Sequence, residues 1–134
     1  MIAPRIPLPD TKLIESLESC TLSPEDFPHR AHVRAAWCYL RLAPFGEAGE
    51  RFCRSLRRFA ESVGRPQRFH ATMSWAYLAL IHERAALSPA ATFDDFAQAS
   101  PDLLDRATAL SRFYDGETLG SDLARRVFVL PRRG

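Results

Sequence analysis

Apolar residues recur at helical spacing along most of this chain, and short segments with proline or glycine separate the repeats. In residues 47–63, Phe52, Leu56 and Phe59 share one side of a helical wheel, whereas arginine and glutamate residues occupy the other side. An apolar stripe with a spacing of three or four residues is typical of a helix that packs on a core. We therefore predict a long helix over residues 47–63 that ends at Gly64.

The same periodicity predicts two more long helices, over residues 29–43 and 69–87. The second is apolar on nearly every side, so we expect it to be the central helix, with Trp75 buried. Serine, threonine or aspartate before proline or acidic residues is a helix-start signal. Such signals predict a first helix from Asp10 or Thr11 to residue 20, a helical turn after Ser23, a short helix after Thr92, a fourth main helix over residues 100–114, and a last helical segment over residues 117–126. Residues 1–9, which contain three prolines, and residues 127–131 are predicted to be extended.

These elements predict an all-α protein, a compact bundle of four to six helices, formed by residues 1–134 as a single domain. A chain of 134 residues is close to the commonest domain size. The connections around Pro44 and Pro66 are short, so we expect the three long helices to run up, down and up. In that arrangement the helices over 29–43 and 69–87 are parallel and begin at the same end of the bundle.

Composition and charge exclude several classes of protein. No apolar run reaches the ~20 residues that a membrane-crossing helix needs, and the N-terminus lacks a secretion signal, so we expect a cytoplasmic protein without membrane contact. The formal net charge is only +2, and acidic residues are interleaved with the arginines of residues 47–63, which argues against nucleic-acid binding. Three cysteines without a C-x-x-C spacing are expected to be reduced thiols: Cys20, Cys38 and Cys53.

Three of the four histidines lie on the predicted inner face near the start of a helix. His29 and His32 share a stripe with Ala36, and His70 begins a stripe that continues with Met73. Parallel helices would bring the three histidines together. Two histidines at positions i and i+3, with a third from a neighbouring helix, are a ligand set that suits zinc, iron or copper.

The predicted helix arrangement also indicates which residues could be the fourth metal ligand and which could not. The same end of the bundle offers three carboxylates as a fourth ligand: Asp26, Asp115 and Glu117. Glu61 is excluded because it lies on the solvated face of its helix. His82 follows His70 by 12 residues, which is about 18 Å along a helix, so the two cannot bind one ion.

Two functions follow from these residues. The first is a small metal-dependent enzyme that acts on a small organic substrate, with His29, His32 and His70 as metal ligands and an open coordination position. The alternative is a noncatalytic binding or protein-interaction module whose histidines are structural. The sequence contains no Walker loop, dinucleotide-binding fingerprint, G-x-S-x-G or H-E-x-x-H motif. Homo-oligomerisation is compatible with both functions.

Four stretches of the chain carry motifs: H-x-x-H followed by R-x-A-W in residues 29–37, a form of Y-H-E-T-x-T-W-A in residues 69–76, I-H-E-R in residues 81–84, and S-D-L-A-R-R-V-F-V in residues 121–129. On these motifs the chain resembles an uncharacterised family of small, all-helical bacterial proteins. The resemblance implies a site of polar residues around inward-facing histidines and implies no particular activity. Ala71 stands where the family motif has an acid, so this chain is expected to differ from the family if that acid acts as a ligand or base.

Overall fold

The computed structural model describes residues 8–132, which contain seven α-helices and no β-strand. This confirms the predicted all-α class. The helices are α1 (Asp10–Glu18), α2 (His29–Leu42), α3 (Phe45–Ser62), α4 (Ala71–Leu87), α5 (Phe93–Ala99), α6 (Gly116–Leu119) and α7 (Asp122–Arg126), with short 3₁₀ turns at Pro24–Asp26, Pro66–Arg68 and Pro101–Leu104. Most of the predicted extended arm, residues 1–9, lies outside the described residues. No helix in residues 8–132 has both the length and the apolarity to cross a membrane.

The long helices α2, α3 and α4 form the middle of the bundle, where each contacts the other two. The predicted central helix α4 shares this position with the other two, because α2 and α3 also contact α1, whereas α4 contacts α7. One side of α4 is exposed at Ala79, Ala86 and Leu87. An alanine methyl group is small, so a helix whose sequence is apolar on every side can still expose the side that carries alanines at little cost in free energy.

The contact between α3 and α4 is close because Gly49 carries no side chain. The indole ring of Trp75 lies over Gly49 and packs edge-on against Phe45, with ring centroids 6.0 Å apart. Trp75 is half-buried, so the prediction that it is buried was wrong. Its ring covers the outer part of the α3–α4 contact instead of entering the core.

The prediction of a fourth main helix over residues 100–114 was also wrong. A 3₁₀ turn at Pro101–Leu104 ends at Asp105, and only isolated turns follow as far as residue 113. The carboxylate of Asp105 accepts a hydrogen bond from the backbone N–H of Ala107 at 3.0 Å. Such a local bond gives the backbone an alternative to the helical ladder, so the chain turns here.

Two helix starts also differ from the prediction. The first helix begins after Pro9 and has no side-chain cap, although Asp10 or Thr11 was predicted to cap it. The last segment consists of two short helices, since the hydroxyl of Ser121 accepts the backbone N–H of Ala124 at 3.1 Å and starts α7 anew. The predicted cap at Thr92 is confirmed, because its hydroxyl accepts the backbone N–H of Asp95.

Residues 127–132 form neither helix nor strand, Val127 has the extended backbone that was predicted, and hydrogen bonds join the segment to α4. The hydroxyl of Thr72, which is fully buried, donates to the carbonyl of Val127 at 2.8 Å and accepts the N–H of Val129 at 3.0 Å. The hydroxyl of Tyr114 donates to the carbonyl of Val129 at 2.7 Å. Two buried hydroxyl groups therefore hold this segment in place.

Candidate functional site

A cavity of about 570 Å³ lies between α2, α3 and α4. Its wall includes the first half of α2, the second half of α3 and the start of α4. Most of the side chains that line it are apolar, and all three helices contribute: Val33 from α2, Phe52, Leu56 and Phe59 from α3, and Met73 and Ile81 from α4. A concave apolar site with a few polar groups is the usual form of a small-molecule site.

The three histidines that the sequence singles out all line this cavity: His29, His32 and His70. The fourth, His82, does not. His82 lies further along α4, and its exposed ring packs against Phe45 of α3, with ring centroids 5.0 Å apart. His29 and His32 lie in the first turn of α2 and His70 is the N-cap of α4, so the starts of these two helices both border the cavity.

Both ring nitrogens of His70 take part in hydrogen bonds with the backbone. Nδ1 accepts the N–H of Met73 at 3.0 Å, so Nε2 carries the proton and donates to the carbonyl of Leu119 at 2.8 Å. His70 is the N-cap of α4, with φ −129° and ψ 108°, and is not part of the first turn as the wheel predicts. A metal needs a free lone pair on a ring nitrogen, so in this conformation His70 has none to offer.

His29 joins the start of α2 to the segment after α5. Its Nε2 lies 3.0 Å from the carbonyl oxygen of Leu103, which can only accept, so this nitrogen donates. The ring also meets the edge of Tyr77, with centroids 5.2 Å apart.

His32 is neutral at pH 7. Its pKa is lowered to about 4, chiefly by burial of the ring; the Pro28 carbonyl opposes this shift, and His29 and Arg106 add to it. Nδ1 donates to that carbonyl at 3.1 Å, and the ring stacks on Phe27 with centroids 3.8 Å apart.

Residues 8–132 contain no group of three or more histidine, cysteine, aspartate or glutamate side chains placed to hold a metal ion. The candidate fourth ligands do not line the cavity. Asp115 caps α6 by accepting the N–H of Thr118 at 2.6 Å, Glu117 is exposed, and Asp26 lies in the 3₁₀ turn before α2. A metal centre of zinc, iron or copper at His29, His32 and His70 therefore stays a prediction, and the hydrogen bonds of His70 do not fit it.

Two of the cysteines are poor nucleophiles. Burial raises the pKa of the Cys38 thiol to about 12 and that of the Cys53 thiol to about 11. The thiolate, which is the reactive form, is therefore scarce at neutral pH. Neither cysteine lines the cavity.

No family model matches this chain. No curated protein and no solved structure matches it either. The likeness to a bacterial family therefore stays a resemblance of motifs. At the position where the motif has an acid, Ala71 is 7% exposed and packs with Ala60 and Phe69, so an apolar contact occupies this place.

Polar groups that the sequence analysis did not select also line the cavity. Tyr77 is 8% exposed, and its hydroxyl has no hydrogen-bond partner among the described residues. Burial raises the pKa of this hydroxyl; Arg106 opposes the effect and Asp105 adds to it. Tyr77 shares the helical stripe of His70, so periodicity was a signal that could have found it. Arg106 had no such signal, because it lies in the segment predicted wrongly as a helix.

Proposed function

We propose that this protein binds a small, largely apolar organic molecule in the cavity between α2, α3 and α4. The observation that supports the proposal is the cavity itself: its volume of about 570 Å³ lies within the ~300–1,000 Å³ common for ligand sites, and three helices provide apolar walls. The proposal corresponds to the noncatalytic binding alternative.

The hydrogen bonds of the histidines support a structural role for them in this function. Each of the three donates to a backbone carbonyl: His29 to Leu103, His32 to Pro28 and His70 to Leu119. The bonds of His29 and His70 join the starts of α2 and α4 to distant segments, and the bond of His32 is local to the start of α2. The remaining wall offers a ligand mainly the burial of apolar surface.

A series of neutral primary alcohols tests this function. Each methylene that moves from water into an apolar site contributes ~0.8 kcal/mol, so affinity should rise about fourfold per methylene from hexanol through octanol to decanol. Titration calorimetry with the full chain measures the dissociation constants. An affinity that is absent, or that does not depend on chain length, contradicts the proposal.

A matched pair of substitutions locates the binding. Ala36 is buried and lines the cavity, so Ala36→Met should fill part of it and weaken decanol binding about tenfold or more. Ala79 is exposed on α4, so Ala79→Met adds the same atoms elsewhere and should leave the affinity unchanged. Thermal unfolding of each variant shows that it folds. Equal weakening in both variants would place the alcohol outside the cavity.

The metal-dependent enzyme is the second candidate, and the observation in its favour is that His29, His32 and His70 line one cavity. Metal analysis of protein purified without an affinity tag tests it. Because both nitrogens of His70 are engaged, we expect zinc, iron and copper each to be far below one ion per chain. A stoichiometric ion that is lost in both His32→Ala and His70→Ala, and kept in His82→Ala, would establish the metal site instead.

A further inference from the structure

We infer that the ligand of this cavity is an organic carboxylate, whose charged group lies between the hydroxyl of Tyr77 and the guanidinium of Arg106 and whose apolar body fills the rest. The inference rests on the proposed binding function and names the chemical class of the ligand. Within residues 8–132 it follows from three observations: the hydroxyl of Tyr77 is a buried donor without a partner, Arg106 has no ion pair, and the cavity wall contains no acidic residue.

The hydroxyl of Tyr77 is the buried donor. Tyr77 is 8% exposed and lines the cavity, yet its hydroxyl has no hydrogen-bond partner among residues 8–132. A buried hydroxyl without a partner is costly, and most such groups in proteins are satisfied. The other buried tyrosines follow that rule: Tyr39 bonds Glu18 and Ser55, and Tyr114 bonds a backbone carbonyl. A ligand oxygen that accepts from Tyr77 would remove the cost.

The guanidinium of Arg106 supplies the charge. Arg106 is exposed, lines the cavity and forms no ion pair within the described part of the chain. It is close enough to affect both Tyr77 and His32 electrostatically. Seven of the other arginines in residues 8–132 pair with a carboxylate and seven do not, so what sets Arg106 apart is its place in the cavity wall beside Tyr77.

The surroundings of this pair favour a negative ligand group. Among the described residues that line the cavity none is acidic, and the other polar ones are His29, His32, His70, Ser74 and Arg68. The carboxylate of Asp105 acts electrostatically on Tyr77, but it is exposed and accepts the backbone N–H of Ala107. An anionic ligand group beside Arg106 would therefore be repelled by one exposed carboxylate, that of Asp105, and by no acidic residue among the described residues of the cavity wall.

The number of close cations favours a carboxylate over a phosphate. Two arginines line the described wall: Arg106 influences Tyr77 electrostatically, and Arg68 lies in the 3₁₀ turn before α4, nine residues before Tyr77 in the chain. A single guanidinium matches the planar, singly charged carboxylate through two parallel hydrogen bonds. A phosphate monoester carries more charge at neutral pH and would need a second cation nearby.

The experiment compares three probes with the same ten-carbon chain: decanoate, decanol and decyl phosphate. At pH 7 we expect decanoate to bind the full chain at least tenfold more tightly than decanol, because hydrogen bonds to a charged group are the stronger ones. Tyr77→Phe and Arg106→Gln should each weaken decanoate about tenfold or more and leave decanol within about twofold. Arg112→Gln is the matched control, because Arg112 is exposed in the same segment and does not line the cavity.

Thermal unfolding without ligand tests independently whether the Tyr77 hydroxyl has a hydrogen-bond partner in the free protein. Since this hydroxyl has no partner in the described structure, Tyr77→Phe should keep or raise the melting temperature. A fall of several degrees would mean that the hydroxyl is satisfied within the protein, and would overturn the inference.

The binding results separate this inference from the function on which it rests. If neither decanoate nor decanol binds, the proposed binding function fails. If decanol binds as tightly as decanoate, or if Tyr77→Phe and Arg106→Gln keep full affinity for decanoate, the carboxylate assignment is wrong and the apolar binding site stands. Tighter binding of decyl phosphate than of decanoate would also overturn the assignment.

Discussion

Replacing Gly49 by alanine is expected to lower the free energy of unfolding by about 2 kcal/mol, as overpacking of a close contact typically does. A β-carbon at this position would overlap the indole ring of Trp75 and lie 2.9 Å from a methyl group of Leu78. The ring packs against Phe45 and so has little room to move. The gain in helix propensity of ~1 kcal/mol from glycine to alanine offsets only part of this overlap. Denaturant unfolding of both proteins measures the change.

Gly46 is the matched control for this substitution. It lies one turn earlier in α3, and an added β-carbon there would meet nothing within 4 Å. Gly46→Ala should therefore raise stability by a few tenths to ~1 kcal/mol through helix propensity alone. In a double-mutant cycle, Trp75→Ala should make Gly49→Ala neutral or stabilising. A Gly49→Ala cost that persists without the indole ring would place the clash elsewhere.

Acidification from pH 7 to pH 4 is expected to remove about 2 kcal/mol of stability through His32 alone. In the unfolded chain a histidine takes up its proton near pH 6.5, whereas in the folded protein burial lowers the pKa of His32 to about 4. Between these values the unfolded state binds more protons, so stability falls as the pH falls, and it is fully retained above pH 6.5. The full shift corresponds to ~3 kcal/mol, and the partial exposure of the ring reduces it.

The measurement compares the wild type with His32→Gln at a series of pH values. Carboxylates also titrate in this range, so only the difference between the two proteins reports on His32. That difference should decline by about 2 kcal/mol from pH 7 to pH 4. His82→Gln serves as the control, because the ring of His82 is exposed and lies outside the cavity. A difference that is independent of pH would show that His32 is accessible to protons in the folded state.

The three long helices were predictable from sequence because their signals are local. Apolar periodicity and the prolines and glycines between segments placed them at 29–43, 47–63 and 69–87, and the structure has them at His29–Leu42, Phe45–Ser62 and Ala71–Leu87. The segment after Pro101 carried an equally good start signal. The helix prediction was wrong there because one hydrogen bond of the Asp105 side chain turns the chain after a single 3₁₀ turn. The residue pattern does not show which of two competing local hydrogen bonds will form.

The candidate site was predictable only in its location. Inward stripes and short loops placed His29, His32 and His70 at one end of the bundle, and all three line one cavity. Their roles depend on partners far away in the sequence: His29 bonds Leu103, 74 residues away, and His70 bonds Leu119, 49 residues away. Helical periodicity carries no information about such contacts.

By itself, the sequence determined the all-α class, the three long helices and the face of α2 on which His29 and His32 lie, because these depend on spacing within one segment. The tertiary structure decided how the ring nitrogens are used, that α2, α3 and α4 share the middle of the bundle, and that Tyr77 and Arg106 line the same cavity as the histidines. The cavity also belongs to the tertiary structure. Its volume is the space that side chains of three helices leave between them, and no single helix contains that information.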